Sequence, residues 1–135
     1  MNRILQSRLT RAIAGVLISS TAIPAAALWA ATADDVRNVE VHQEQLRTQT
    51  QRVGAQIDAV ILDFQRNGLT EGQDIDTLKG IRAVLGQLSE KQMQQVIQFL
   101  QQARNASDAD QSRKEVVKAV AGQQEVVANL RALLA

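Results

Sequence analysis

The 135-residue chain has no cysteine and no tyrosine. It has one proline (Pro24), one tryptophan (Trp29), two phenylalanines (Phe64 and Phe99) and one histidine (His42). Without Cys there is no disulfide, no thiolate nucleophile, no Cys-based zinc site and no residue on which to build a lipoprotein anchor. Sparse aromatics, and no basic stripe for them to interleave, argue against nucleic acid as a partner. The scarcity of proline and the abundance of Ala, Gln, Leu and Arg favour helix.

The N-terminus reads as an export signal. Arg3, Arg8 and Arg11 precede an uncharged run that extends through Ala33, interrupted by Pro24. Ala31-Thr32-Ala33 places small side chains at −3 and −1 of a cleavage site, which would leave Asp34 as the first residue of the mature chain. Ala25-Ala26-Ala27 is a second site of the same kind. Residues 12–33 are also long enough to cross a bilayer. Their Ala, Ser and Thr content and Pro24 favour cleavage over anchoring, so membrane contact is expected only if this segment is retained. Residues 1–33 are read as signal and 34–135 as the exported domain, in the periplasm or outside a bacterial cell. Cleavage removes three of the 15 basic residues and none of the 14 acids, which leaves a net charge of −2. The basic balance of the precursor therefore belongs to its signal.

About a hundred residues without a disulfide make one small domain, ordered by helix packing, self-association or a partner. The first element, from about Asp34 to Asn67, keeps a 3-4 apolar seam: Val36, Val39, Leu46, Val53, Ile57, Val60 and Phe64. Gln43 and Thr50 are its polar exceptions. They mark either a weaker half of the packing or the part that sets register. A second element starts after Thr70 or Asp74 and carries Ile75, Leu78, Ile81, Leu85 and Leu88. Gly86 is expected to end it in a left-handed conformation, with Leu88 as the hydrophobic contact. Ser89 with Gln92 three residues on is a capping-box pattern, which predicts a third helix carrying Met93, Val96, Ile97, Phe99 and Leu100. "NASDAD" (105–110) predicts a loop with Ser107 or Asp108 as N-cap. The last element carries Val116, Val120, Val127, Leu130 and Leu134 at heptad spacing, with Gln123 as the polar member. The expectation is all-α, a bundle of about four helices, the first and last long. The alternative is a long helical hairpin whose seam is completed by a second copy or another protein.

"DFQRNGLTEGQD" (63–74) has the outline of a calcium loop, with Asp63 first, Asn67-Gly68 at five and six, Glu71 ninth and Asp74 twelfth. Asp74 falls one methylene short of the usual bidentate Glu, and no second loop pairs with it. The same letters describe a helix stop at Gly68, with Leu69 packing back, followed by a new helix start. No metal or cofactor is expected. His42 and Met93 form no haem-attachment motif. The paired acids Asp34/Asp35, Asp74/Asp76 and Asp108/Asp110 stand at expected helix starts, where the dipole favours them. The serines fall at caps and loops, so no nucleophile stands near a base and no enzyme is expected. Asn105-Ala106-Ser107 matches a glycosylation sequon.

"LTEGQ" (69–73) and "LSEKQ" (88–92) resemble the L-T-x-x-Q helix starts of the Spy/CpxP-type periplasmic proteins. The resemblance covers ten residues. It implies a small, exported, all-helical protein that acts as a chaperone or an accessory to a stress sensor. The residues themselves point to a non-enzymatic, exported helical module that works through protein contacts, with another protein or with its own copies.

Overall fold

A computed structural model describes residues 33–134. The signal reading, including Ala31 of the cleavage site, falls outside them, and Ala33 is the first described residue.

Helix α1 spans Ala33–Arg66. Helix α2 spans Gln73–Gln87, a π-helical turn spans Leu88–Gln92, and α3 spans Met93–Asn105. Helix α4 spans Ala109–Leu134. Among the described residues there is no strand. The residues flanking the π turn keep right-handed helical dihedrals, so α2, the π turn and α3 form one continuous rod. Among the described residues the fold is all-α, and its four α-helical segments form three rods, α2 and α3 being joined through the π turn.

The predicted third helix start at Ser89 is therefore corrected. Ser89 lies inside the π turn, and its hydroxyl donates to the Gly86 carbonyl at 3.3 Å rather than capping a new helix. Gly86 has no left-handed conformation and sits within α2. The physical reason lies in the apolar spacing. Leu85 and Leu88 are three apart, but the next buried apolar residue, Met93, is five beyond Leu88. An α-helix returns to a face after three or four residues, whereas a π turn closes i to i+5. The Met93 N–H reaches back to the Leu88 carbonyl, as that geometry requires. One extra residue is absorbed without breaking the rod.

Side-chain pairs fix the topology. Arg82 of α2 meets Asp58 of α1, and Arg104 and Gln101 of α3 meet Glu40 of α1. The rod thus runs antiparallel along the whole of α1. Helix α4 turns back again, with Asn129 against Gln92 of the π turn and Lys118 over the Phe99 ring. Both α1 and α4 pack on the central rod, α4 chiefly on α3.

Helix ends follow local chemistry. Gly68, at φ 81°, ends α1. Its N–H donates to the Gln65 carbonyl at 3.0 Å, and the Leu69 N–H donates to the Phe64 carbonyl at 2.9 Å. Together these bonds form a Schellman motif. The expected packing of Leu69 on α1 does not occur, since that side chain is mostly exposed. Neither Thr70 nor Asp74 caps α2. Gly72 holds the N-cap position with no side-chain bond, while Asp74 and Asp76 occupy the first turn. Asp108 Oδ1 accepts from the Gln111 N–H at 2.7 Å, so Asp108 rather than Ser107 caps α4.

Among the described residues the core has two apolar clusters. One joins Val53, Ile57, Leu78, Leu85, Leu88 and Met93 with Val126 and Leu130. The other joins Val36 with Val96, Leu100, Ala103, Val116 and Ala119. Each large buried side chain stabilises the fold by roughly 1.5–3 kcal/mol.

Candidate functional site

The structure places the expected seam residues as follows. Val36, Leu46, Val53 and Ile57 are buried, while Val39, Val60 and Phe64 are half-buried against the two clusters. In α4, Val116 and Leu130 are buried, but Val120 and Val127 are half-buried and Leu134 is exposed. The buried stripe there runs instead through Val116, Ala119, Gln123, Val126 and Leu130. The shift has a steric cause. At Gly122 an added Cβ would lie 2.8 Å from Val96 Cγ2, so α4 approaches α3 closely and presents its small residues. Heptad spacing alone selects Val120 and Val127, whereas close packing buries Ala119 and Val126.

Gln43, Thr50, Ser89, Glu115 and Gln123 are also buried. Thr50 Oγ1 donates to the Leu46 carbonyl at 2.9 Å, within its own helix. Glu115 accepts from Lys118 at 3.1 Å and from Gln111 at 3.1 Å. Gln43 Nε2 is buried without a hydrogen-bond partner. Arg47 Nε donates to the Ser89 carbonyl at 3.1 Å, while its Nη1 pairs with Glu44 at 2.7 Å. Of these contacts, the Arg47–Ser89 bond is the one that crosses between elements, from α1 to the π turn. These polar groups can hold register between helices, but they gather no nucleophile, base and oxyanion donor around a cleft.

The calcium outline resolves into the helix stop. Asp63 lies 4.0 Å from Arg66, its carbonyl accepts from Asn67, and the segment forms the Schellman turn. Among the described residues no group of three or more His, Cys, Asp or Glu side chains converges as a metal site would require. His42 is exposed on α1, whereas Met93 is buried at the π turn, so they do not share a pocket. Of the glutamine run, Gln92 accepts from Asn129 at 2.9 Å and Gln101 donates to Glu40 at 3.1 Å. Those two act between helices. Gln95, Gln98 and Gln102 face solvent.

An open groove of about 560 Å³ runs between α1 and the α2 end of the rod. Asp58, Arg82, Lys79 and Glu90 line it, and the Arg82–Asp58 pair at 2.8 Å crosses it. Its charges are mixed and its floor is shallow, so it encloses nothing.

No family model, curated protein or solved structure matches this chain. The reading of function therefore rests on the helices themselves. Among the described residues, no helix is long and apolar enough to cross a membrane. The "LSEKQ" motif forms the π turn inside a rod, so only "LTEGQ" precedes a helix start. Half of the resemblance to the Spy/CpxP-type helix starts is thereby removed.

Proposed function

We propose that this chain is an exported, non-enzymatic helical module that works by contact with other protein chains in the bacterial envelope or outside the cell. The observation that carries this reading is where the apolar residues lie. The inner seams close the bundle, yet Val41, Leu62, Leu69, Val84 and Val117 remain exposed on outer helix faces and the hairpin turn. Helix surfaces, rather than a cleft, are what this fold presents. The basic, uncharged and small-residue order of residues 1–33 supports export.

Two experiments test it. Fusion of residues 1–33 to a reporter active only outside the cytoplasm should give activity, and a silent fusion would refute export. Light scattering over a concentration series, with chemical crosslinking in cells, should show this chain bound to another chain of its own or a different kind. A strictly monomeric protein with no crosslinked species would refute the module reading.

A second reading, a chaperone or stress-sensor accessory, is favoured by Leu62, Leu69 and Val84, which leave apolar contact points towards the α1–α2 end. It predicts that aggregation of an unfolded client is suppressed near one-to-one stoichiometry. No effect on several clients would remove it.

A further inference from the structure

The inner seam of α1 is closed against the rod, but α1 carries a second seam on its opposite face. Val41, Thr48, Ala55 and Leu62 are each seven residues apart, and all four are exposed. Gln45, Arg52, Ala59 and Arg66 lie four residues after each of them and are exposed as well. This is the alternating 4-3 spacing of a coiled-coil stripe. Its two large apolar members, Val41 at 51% and Leu62 at 45% exposure, stand near opposite ends of the helix. The stripe is mostly uncharged between those ends.

The charges at the ends decide what fits. Asp34 stands in the first turn of α1 and Arg66 in the last. A parallel copy would set Asp34 against Asp34 and Arg66 against Arg66. An antiparallel copy, with its two-fold axis near Thr50, sets Asp34 against Arg66 of the second copy at both ends. In the same register Arg37 meets Asp63, Val41 meets Ala59, Gln45 meets Ala55 and Asn38 meets Leu62. Opposed helix dipoles favour that orientation too.

We propose that the outer face of α1 pairs with the same face of a second copy, antiparallel and in this register. The proposal rests on the protein-contact reading above and names the partner. The pairing is reversible, because the stripe mixes apolar and polar residues and its ion pairs are exposed. It weakens with added salt.

The test is charge reversal followed by sedimentation equilibrium of the purified protein. Asp34→Arg and Arg66→Asp should each lower the association constant by about tenfold, since each breaks two symmetry-related pairs. The double variant should return to within about threefold of wild type. Asp34 and Arg66 are roughly 48 Å apart along one helix, so they cannot meet within a chain. The helix-dipole effect opposes the rescue, because both reversals are unfavourable to the dipole and add. Recovery in the double variant therefore reports contact between copies. Circular dichroism of each variant separates loss of association from loss of helix.

Val41→Asp with Leu62→Asp should abolish association with helicity retained, both sites being exposed. Failure of the double reversal to recover, or association unchanged by the Val41/Leu62 variant, would overturn the pairing. In that outcome, association through another face would leave the module reading standing. A monomer at every concentration that still crosslinks to a different protein would also overturn the pairing alone.

Discussion

Arg47 Nε donates to the Ser89 carbonyl at 3.1 Å, across from α1 to the π turn of the central rod. Where the turn widens to i+5 closure, a backbone carbonyl can turn outward from the helix ladder and needs a donor. The Arg47 side chain supplies one and is itself oriented by Glu44. On the other side Asn129 holds Gln92. The turn is thus gripped from both flanking helices.

Arg47→Ala should destabilise the fold by about 1–3 kcal/mol, the cost of leaving a part-buried carbonyl without its charged donor. Urea unfolding measures it. Glu44→Ala should cost much less, because the Glu44 side chain is half exposed. Equal losses from the two would mean that the salt bridge matters rather than the grip on Ser89.

Deletion of Glu90 should be tolerated. It would place Met93 four residues after Leu88, a step that an ordinary α-helix makes without a π turn. The expected change is within about 1–3 kcal/mol, set by the altered Arg47 contact. Deletion of the equally exposed Gln98 should be far worse, because it rotates Leu100 and Ala103 out of the core. A Glu90 deletion as damaging as that of Gln98 would refute the inserted-residue account.

Gly122→Ala should destabilise by about 1–3 kcal/mol through overpacking. The added Cβ would meet Val96 Cγ2 at 2.8 Å. Pairing it with Val96→Ala should recover part of the loss, and a thermal melt of the double variant reads this coupling.

Gln43→Leu should stabilise the protein by about 1–3 kcal/mol, because Nε2 is buried and unpartnered and a leucine removes that cost. If Gln43 sets register, the stabilised variant should show a broader or multi-phase melt despite its higher midpoint. A lower midpoint would mean that the amide has a partner worth more than its burial penalty.

Much of this architecture was legible in the chain. The all-helical class, the extent of α1, the stop at Gly68 and a cap at Ser107 or Asp108 follow from spacing and local hydrogen bonding, which act within a few residues. The joining of α2 and α3 into one rod was not legible. "LSEKQ" satisfies the local pattern of a helix start, and nothing in one chain segment reveals that a π turn can absorb the same residues once Arg47 and Asn129 hold it. The α4 stripe was misplaced for a related reason. Heptad spacing pointed to Val120 and Val127, but the closeness of α3 at Gly122 goes with Ala119 and Val126 being the buried ones. The outer stripe of α1 was present in the sequence too, yet it became informative only when the inner stripe was seen to be closed.

By itself the sequence determined that this chain is helical and without disulfides, and it placed a helix stop at Gly68 and a cap at Ser107 or Asp108. Those properties depend on composition, on residue period and on bonds between near neighbours. The tertiary structure alone decided that α2 and α3 are one rod, which face of α4 is buried, and which face of α1 is left exposed. Those depend on what lies across the helix, and distance between helices is set by side chains far apart in sequence.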